Sequence, residues 1–137
     1  MSSWVTLYEN AEVVLADKGL TRCTIKVEGG RITGFDDKDL KGREVRRIDL
    51  KGLVVMPGVI DPHLHLGHGK DIARPQVKDD AARETAAAAM GGITTFIPYL
   101  MSTQSYEALF DEVKAITEAG SRIDFGYHFI ISTEDQL

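Results

Sequence analysis

Two histidines separated by one residue, His63 and His65, have the side-chain type and the spacing of metal ligands. Residues two apart on a β-strand project from the same face, so Asp61, His63 and His65 are expected to point one way. By strand rise the Cα atoms of the two histidines lie about 6 to 7 Å apart, and two imidazoles at that spacing can bind one divalent cation. The alternative is a pair of partly buried strand histidines with satisfied hydrogen bonds, which a bare His-x-His motif more often indicates.

The first half of the chain is predicted to be a small antiparallel sheet. From Trp4 to about Leu50 the sequence is strand-like, and the Gly29-Gly30 step predicts a hairpin turn because both positions tolerate positive φ. The predicted strands cover residues 13–15, 24–28, 31–35 and 48–50, and a more continuously apolar run follows at 53–56.

After residue 58 strands alternate with helices. Strands are predicted at 59–66, 93–100 and 123–131, with an alanine-rich helix at 76–90 that ends at Gly91-Gly92. A second helix follows a cap at Ser102 or Thr103 and ends at Gly120. Its apolar stripe is formed by Tyr106, Leu109, Phe110, Val113 and Ile116. The order of elements, with short connections, favours right-handed crossovers and a parallel sheet.

Several aromatic residues, one histidine and the single cysteine are predicted to pack rather than react. Tyr106 and Phe110 have helical spacing, and with Tyr99 they are assigned to core or helix-face packing instead of a substrate stack. His128 lies among aromatic residues, where a hydrogen-bonded core histidine is favoured over a metal ligand. Cys23 is predicted to be a small apolar packing residue.

Composition excludes several classes of function. The chain has 137 residues and a net charge of −5, with 16 basic and 21 acidic residues scattered along it. Without a block of like charge, neither nucleic acid nor a membrane surface is an expected partner. One cysteine cannot form an internal disulfide, and no apolar run reaches the roughly 18 residues of a membrane span. We therefore expect a cytoplasmic globular protein.

The segment around the histidine pair resembles the first barrel strand of the amidohydrolase superfamily. Residues 55–66 read Val-Met-Pro-Gly-Val-Ile-Asp-Pro-His-Leu-His-Leu and match its P-G-x-I-D-x-H-x-H signature, which supplies the first two metal ligands. Residues 86–95 are similar to its A-x-x-G-G-x-T-T segment, and the turn at 29–32 is similar to one in its small β-domain. Residues 122–129 resemble the third strand of dihydropyrimidinases, hydantoinases and allantoinases, which hydrolyse cyclic amides.

The resemblance implies an α/β fold class in two parts. A small β-sandwich-type domain at 1–54 is followed at 55–137 by about three strands and two helices of a (β/α)8 TIM barrel. A complete barrel takes roughly 250 residues, so the barrel is expected to be incomplete in this chain. Complete family members hold two divalent metals, bridged by a carboxylated lysine, with further histidines and a catalytic aspartate on later strands. His63 and His65 are then metal ligands, zinc is the expected metal, and the catalytic aspartate is expected beyond the chain end.

The resemblance also bears on the neighbours of the pair. Asp61 either orients a histidine from behind the metal ligands or hydrogen-bonds nearby backbone, and both alternatives stay open. His68 completes an H-x-H-x-x-H string, but the family takes its further ligands from other strands. Lys70 lies in a loop and is not expected to be the carboxylated bridge. The stretch 68–72 replaces a shorter loop of hydantoinases.

The predicted function is metal-dependent hydrolysis of small cyclic amides, by an enzyme of which this chain is an N-terminal part and inactive alone. The alternative from another class is a catalytically silent, dihydropyrimidinase-related structural or interaction protein, although such relatives commonly lose the metal ligands that His63 and His65 would provide. A self-contained metal-binding module is disfavoured, because three open parallel strands leave edges exposed. The expected protein partner is another copy of the chain or the remaining barrel portion.

Overall fold

Each of the two units into which the chain divides, Met1–Pro57 and Gly58–Leu137, contains its own sheet. The structure is a computed structural model that describes residues 4–37, 39–40, 42–67 and 77–136.

The first unit is a mixed sheet. Its strands are β1 Val5–Leu15, β2 Gly19–Glu28, β3 Arg31–Phe35, β4 Val45–Asp49 and β5 Val54–Val55. Their order in the sheet is β3-β2-β1-β4, and β5 also pairs with β1. The β1–β2 and β2–β3 pairs are antiparallel, whereas β4 and β5 run parallel to β1 along one edge.

Two features of the predicted first domain are therefore wrong. The sheet is not purely antiparallel, and its described strands form one sheet instead of a sandwich. The parallel direction of β4 results from the connection after β3, which carries the chain past β2 to the far edge of β1 before β4 begins. Alternation of apolar residues specifies a strand, but the direction of its partner is decided by such connections.

The hairpin and the role of Cys23 were predicted correctly. Gly29 and Gly30 have φ values of 56° and 76°, which is the left-handed region that the tight turn requires. Cys23 packs in a buried apolar cluster with Ala11, Val13 and Ile25. Burial raises the pKa of the Cys23 thiol, as expected for a packing residue in apolar surroundings.

The second unit alternates strands and helices around a parallel sheet, as predicted. Its elements are β6 Val59–Leu64, α1 Lys78–Met90, β7 Ile93–Met101, α2 Tyr106–Gly120, β8 Asp124–Phe125, β9 His128–Ile130 and a 3₁₀ turn, Glu134–Gln136. Strand β7 is central, since β6 pairs with it on one side and β8 and β9 pair with it on the other.

The last predicted strand, 123–131, is instead two short strands. β8 pairs with Thr95 and Phe96, and β9 pairs with residues from Tyr99 onward, so the ladder stops where Pro98 lies on β7. Proline has no backbone N–H to donate, which accounts for a gap in the ladder at this point. The register is the same on both sides of the gap, and the two short strands therefore continue one path.

Helix α2 has the predicted apolar stripe but a different start. Tyr106, Leu109 and Val113 are buried and pack with Leu100 of β7. The N-cap is Ser105, instead of Ser102 or Thr103. The Ser102 hydroxyl accepts a hydrogen bond from the backbone N–H of Gln104 at 2.9 Å, which forms a local turn before the helix.

The alanine-rich helix α1 lies against both β7 and α2. Thr85 is buried there, and its hydroxyl donates to the carbonyl of Ala81 and accepts from the backbone N–H of Arg122 at 3.0 Å. The small side chains of α1 thus allow α2 to approach closely, and the threonine satisfies a backbone donor at the junction. Neither helix in the described ranges has the length and apolar character needed to span a bilayer.

Candidate metal centre

The two imidazoles of the predicted pair lie next to each other at the carboxyl end of β6. The ring centres of His63 and His65 are 5.5 Å apart with planes at 72°, and both side chains are exposed. Rings on opposite faces of a sheet cannot come this close. A Zn–N bond of about 2.0–2.1 Å places the centres of two imidazoles on one tetrahedral ion about 5 Å apart, so the observed spacing fits a shared ion.

A β-bulge in β6 decides which face of the sheet carries this pair. Asp61 pairs with Phe96 of β7 and Leu64 pairs with Pro98, so β6 contains one residue more than β7 in this interval. Pro62 lies inside the bulge, where its missing N–H leaves no gap in the ladder.

The bulge turns the histidines away from the packed side of the sheet. Partners in a parallel ladder share a face, so Asp61 and Leu64 lie on the same face as Phe96, which is fully buried. The residues that alternate with Leu64, namely His63 and His65, lie on the other face. The prediction that Asp61 shares a face with both histidines is therefore wrong, because regular alternation is interrupted between Asp61 and His63.

Asp61 acts on the backbone of the pair. Its Oδ1 accepts a hydrogen bond from the backbone N–H of His63 at 3.0 Å. This is the backbone alternative that the sequence left open for Asp61, and it fixes the chain at the point where the strand bulges. A role behind an imidazole stays a prediction.

Tyr99 and His128 join the histidine pair in one cluster of rings. The Tyr99 ring centre is 4.5 Å from that of His63 and 6.2 Å from that of His65. On its other side Tyr99 stacks with His128 at 4.7 Å and an interplanar angle of 27°. The register pairs Tyr99 of β7 with His128 of β9, so both side chains share the face of the histidine pair.

The ring cluster changes the prediction made for Tyr99. Tyr106 and Phe110 pack on the core side of α2, as predicted. Tyr99 instead lies half-buried among imidazoles, and His128 is a packed histidine whose neighbour is that ring. The available signal was position, since Tyr99 comes near the carboxyl end of a strand in a parallel sheet, as do His63 and His65.

Neighbouring aromatic residues of the β9 segment belong to the opposite face. The Tyr127 hydroxyl lies 2.5 Å from the Thr117 hydroxyl of α2, and burial raises the pKa of Tyr127. The Phe129 ring lies 5.3 Å from that of Phe110. These side chains hold α2 against the sheet and do not reach the ring cluster.

Gln136 links two of the segments that follow the parallel strands at their carboxyl ends. Its amide nitrogen donates to the carbonyl oxygens of Ser102 and Gln104 at 2.6 and 3.0 Å. Its amide oxygen accepts from the backbone N–H groups of Ser132 and Thr133 at 2.8 and 3.1 Å. The segment after β7 and the segment after β9 are therefore joined by one buried side chain.

The part of the chain that the structure describes contains no group of three His, Cys, Asp or Glu side chains able to hold a metal ion. His63 and His65 are two nitrogen donors that fit such an ion in spacing and exposure. The sequence positions weighed as further ligand and bridge, His68 and Lys70, lie outside the described residues.

Comparison with known proteins gives the family. A sequence profile described as the Amidohydrolase family matches residues 54–135, which is more than half of the chain. The chain belongs to the amidohydrolase family. This match includes the histidine pair, the bulge and the ring cluster of the amidohydrolase chain.

The matches with individual relatives cover most of this amidohydrolase chain, whereas the chain spans less than a third of the length of each relative. A D-hydantoinase of Ralstonia pickettii is 33% identical over 128 residues, which are 91% of this chain and 27% of that protein. A dihydropyrimidinase of Arabidopsis thaliana is 31% identical over 112 residues, 82% of this chain and 21% of that protein. A crystal structure of a D-hydantoinase matches with a TM-score of 0.75 and 31% identity over 96% of this chain and 29% of that one. The chain corresponds to the N-terminal portion of such relatives.

Proposed function

We propose that this amidohydrolase uses His63 and His65 as the first two ligands of a divalent metal centre and hydrolyses amide bonds of small cyclic substrates. The main observation that supports this proposal is the 5.5 Å distance between the ring centres of two exposed imidazoles at the carboxyl end of β6. Imidazole binds zinc and several other divalent ions, and zinc is the metal we expect. The names of the related D-hydantoinase and dihydropyrimidinase support the substrate class. Because the chain spans 27% of the first relative, the activity is proposed for the whole protein.

We assign residues 1–54 to a small β domain and residues 55–137 to the start of a (β/α)8 barrel. The parallel order of β6, β7 and β8, with helices between successive strands, supports the second assignment. In such barrels the functional residues lie at the carboxyl ends of the strands. The position of the histidine pair at the end of β6 agrees with that rule.

The ion and the side chains of the protein have different roles in the proposed centre. A bound divalent ion lowers the pKa of a water towards neutrality and polarises the scissile carbonyl. His63 and His65 would hold the ion through one ring nitrogen each, and Asp61 fixes the backbone of His63. Since Asp61 lies on the other face of β6, the proton-transferring carboxylate and the remaining ligands of a binuclear centre are assigned to later strands of the whole protein.

Zinc titration of the 137-residue chain tests the ligand assignment. We compare the chain with a His63→Ala, His65→Ala double variant, using a chromophoric chelator as competitor and circular dichroism to verify folding. The double variant is expected to lose zinc binding by at least about tenfold, because each ligand is a direct metal bond. A separate His68→Ala variant tests the third position of the H-x-H-x-x-H string.

An Asp79→Asn variant is the matched control, since Asp79 is an exposed side chain in the first turn of α1. It should bind zinc as the unaltered chain does. Equal zinc affinity in the double variant and the unaltered chain would remove both histidines from the proposed centre.

A further inference from the structure

Three histidines surround Tyr99, and two of them form the proposed metal centre. His63 and His65 contact one side of the Tyr99 ring, at 4.5 and 6.2 Å between ring centres. His128 stacks on the other side at 4.7 Å. The order of the rings is thus metal pair, tyrosine, third histidine, across the three neighbouring strands β6, β7 and β9.

The histidine pair needs such support because both of its side chains are exposed. An exposed imidazole on a strand end is free to change rotamer, and binding an ion then requires that this freedom be lost. A ring packed against both imidazoles restricts them before the ion arrives. Tyr99 can do so because it is half-buried and is itself held by the stack with His128.

We infer that Tyr99 is a positioning residue of the proposed metal centre and that His128 supports the Tyr99 ring. The face of this ring, and not the phenol oxygen, positions the imidazoles of His63 and His65. The inference rests on the proposed function, since it takes His63 and His65 as metal ligands. The ring contacts themselves do not depend on the metal, so they can be tested without it.

A set of Tyr99 variants of the 137-residue chain separates the ring from the hydroxyl. Tyr99→Leu removes the ring, and we expect its zinc dissociation constant to rise about 3- to 10-fold, the effect of losing one or two aromatic contacts. Tyr99→Phe keeps the ring and should stay within about twofold of the unaltered chain. Phe129→Leu is the matched control, because it removes a ring on β9 that packs on Tyr106 and Phe110.

Imidazole NMR spectra of the metal-free chain test the contacts directly. The ring protons of His63 and His128 lie beside the Tyr99 ring, and their chemical shifts should change in Tyr99→Leu but not in Phe129→Leu. Unchanged shifts in Tyr99→Leu would show that the ring cluster does not form, and the inference would fall.

His128 variants provide a second route that does not alter Tyr99. His128→Leu removes the backing ring and should weaken zinc binding, whereas His128→Phe should restore it because a ring is again present. If both variants lost zinc equally, His128 would be a ligand and its backing role would be wrong.

The outcomes distinguish this inference from the proposed function. Zinc binding that depends on His63 and His65 but is the same in Tyr99→Leu overturns the positioning role and leaves the metal centre intact. Zinc binding that does not depend on the two histidines overturns both, even where the NMR shifts demonstrate the ring cluster.

Discussion

Lys26 is a charged side chain that is only 7% exposed, and its three partners explain how the sheet of the first unit tolerates it. The ammonium lies 2.7 Å from Asp37 and 3.1 Å from Glu28, and it donates to the carbonyl of Asp39 at 3.1 Å. The hydrogen bond to Asp37 raises the pKa of Lys26. Lys26 in turn lowers the pKa of both Asp37 and Glu28.

These shifts predict that the first unit loses stability in acid. A carboxyl whose pKa is lower in the folded chain stabilises it above the ordinary values, here 3.8 for Asp37 and 4.5 for Glu28. That stability is lost as the pH falls through the lower folded pKa. Urea unfolding followed by circular dichroism from neutral to strongly acid pH measures the effect.

A Lys26→Met variant should depend less on pH in this range, because Lys26 is the first cause of both shifts. Lys18→Met, at the exposed turn after β1, is the control and should keep the pH dependence of the unaltered chain. The same pH slope in Lys26→Met would contradict the assignment.

At the candidate site the sequence predicted the pair and missed its surroundings. The spacing of His63 and His65 was enough to expect neighbouring rings, because alternation is a local property of a strand. Tyr99 and His128 reach the same cluster through strand register, which no local pattern contains. Asp61 was misplaced for a related reason, since a bulge changes the face of every residue after it.

Among the elements, α1 and α2 meet at a contact that only glycine allows. Gly120 ends α2, and a Cβ at this position would lie 2.1 Å from the carbonyl oxygen of Lys78 at the start of α1. No side chain can move to relieve this clash, because the oxygen belongs to the backbone. The helices must therefore separate if the residue is enlarged.

Gly120→Ala is expected to destabilise the second unit by about 1 to 3 kcal/mol, the range of an overpacked core site. Gly126→Ala is the matched control, because a Cβ there would meet Ile97 only at 3.8 Å, an ordinary contact distance. Thermal or urea unfolding of both variants gives the comparison. Equal stability of the two variants would count against the close contact of the helices.

The elements themselves were predictable to different degrees. The Gly29-Gly30 hairpin and the α2 stripe were correct because turn chemistry and helical periodicity are local. The single strand predicted at 123–131 was wrong because its interruption depends on Pro98 in a neighbouring strand. Likewise, the parallel direction of β4 follows from a connection, which strand alternation does not describe.

At the scale of the whole molecule, the edge strand β6 of the second sheet affects how the chain associates with other chains. Strand β6 pairs with β7 alone among the described strands, and its apolar side chains Val59 and Ile60 are 47% and 59% exposed. An exposed apolar edge strand favours pairing with another chain. The partner expected for β6, another copy of the chain or the remaining portion of the proposed barrel, stays a prediction that the isolated chain can test.

The 137-residue chain is accordingly expected to self-associate as its concentration rises, which sedimentation velocity measures. Ile60→Glu should shift the chain towards monomer, because a charge on an edge strand opposes pairing. Met90→Glu serves as control, since Met90 is 92% exposed and belongs to the end of α1, not to β6. Association that both glutamates reduce equally would exclude β6 as the contact.

Two environments are possible for the same pair of histidines, one with the extra residue in β6 and one without it. In an unbulged ladder His63 would pair with Pro98 and His65 with Leu100, both of them buried, and the imidazoles would be enclosed under the helices. The environment of both imidazoles therefore depends on the one extra residue that β6 accommodates between Asp61 and Leu64. In diverging amidohydrolases, loss of this bulge would close the metal site while both of its histidines are kept.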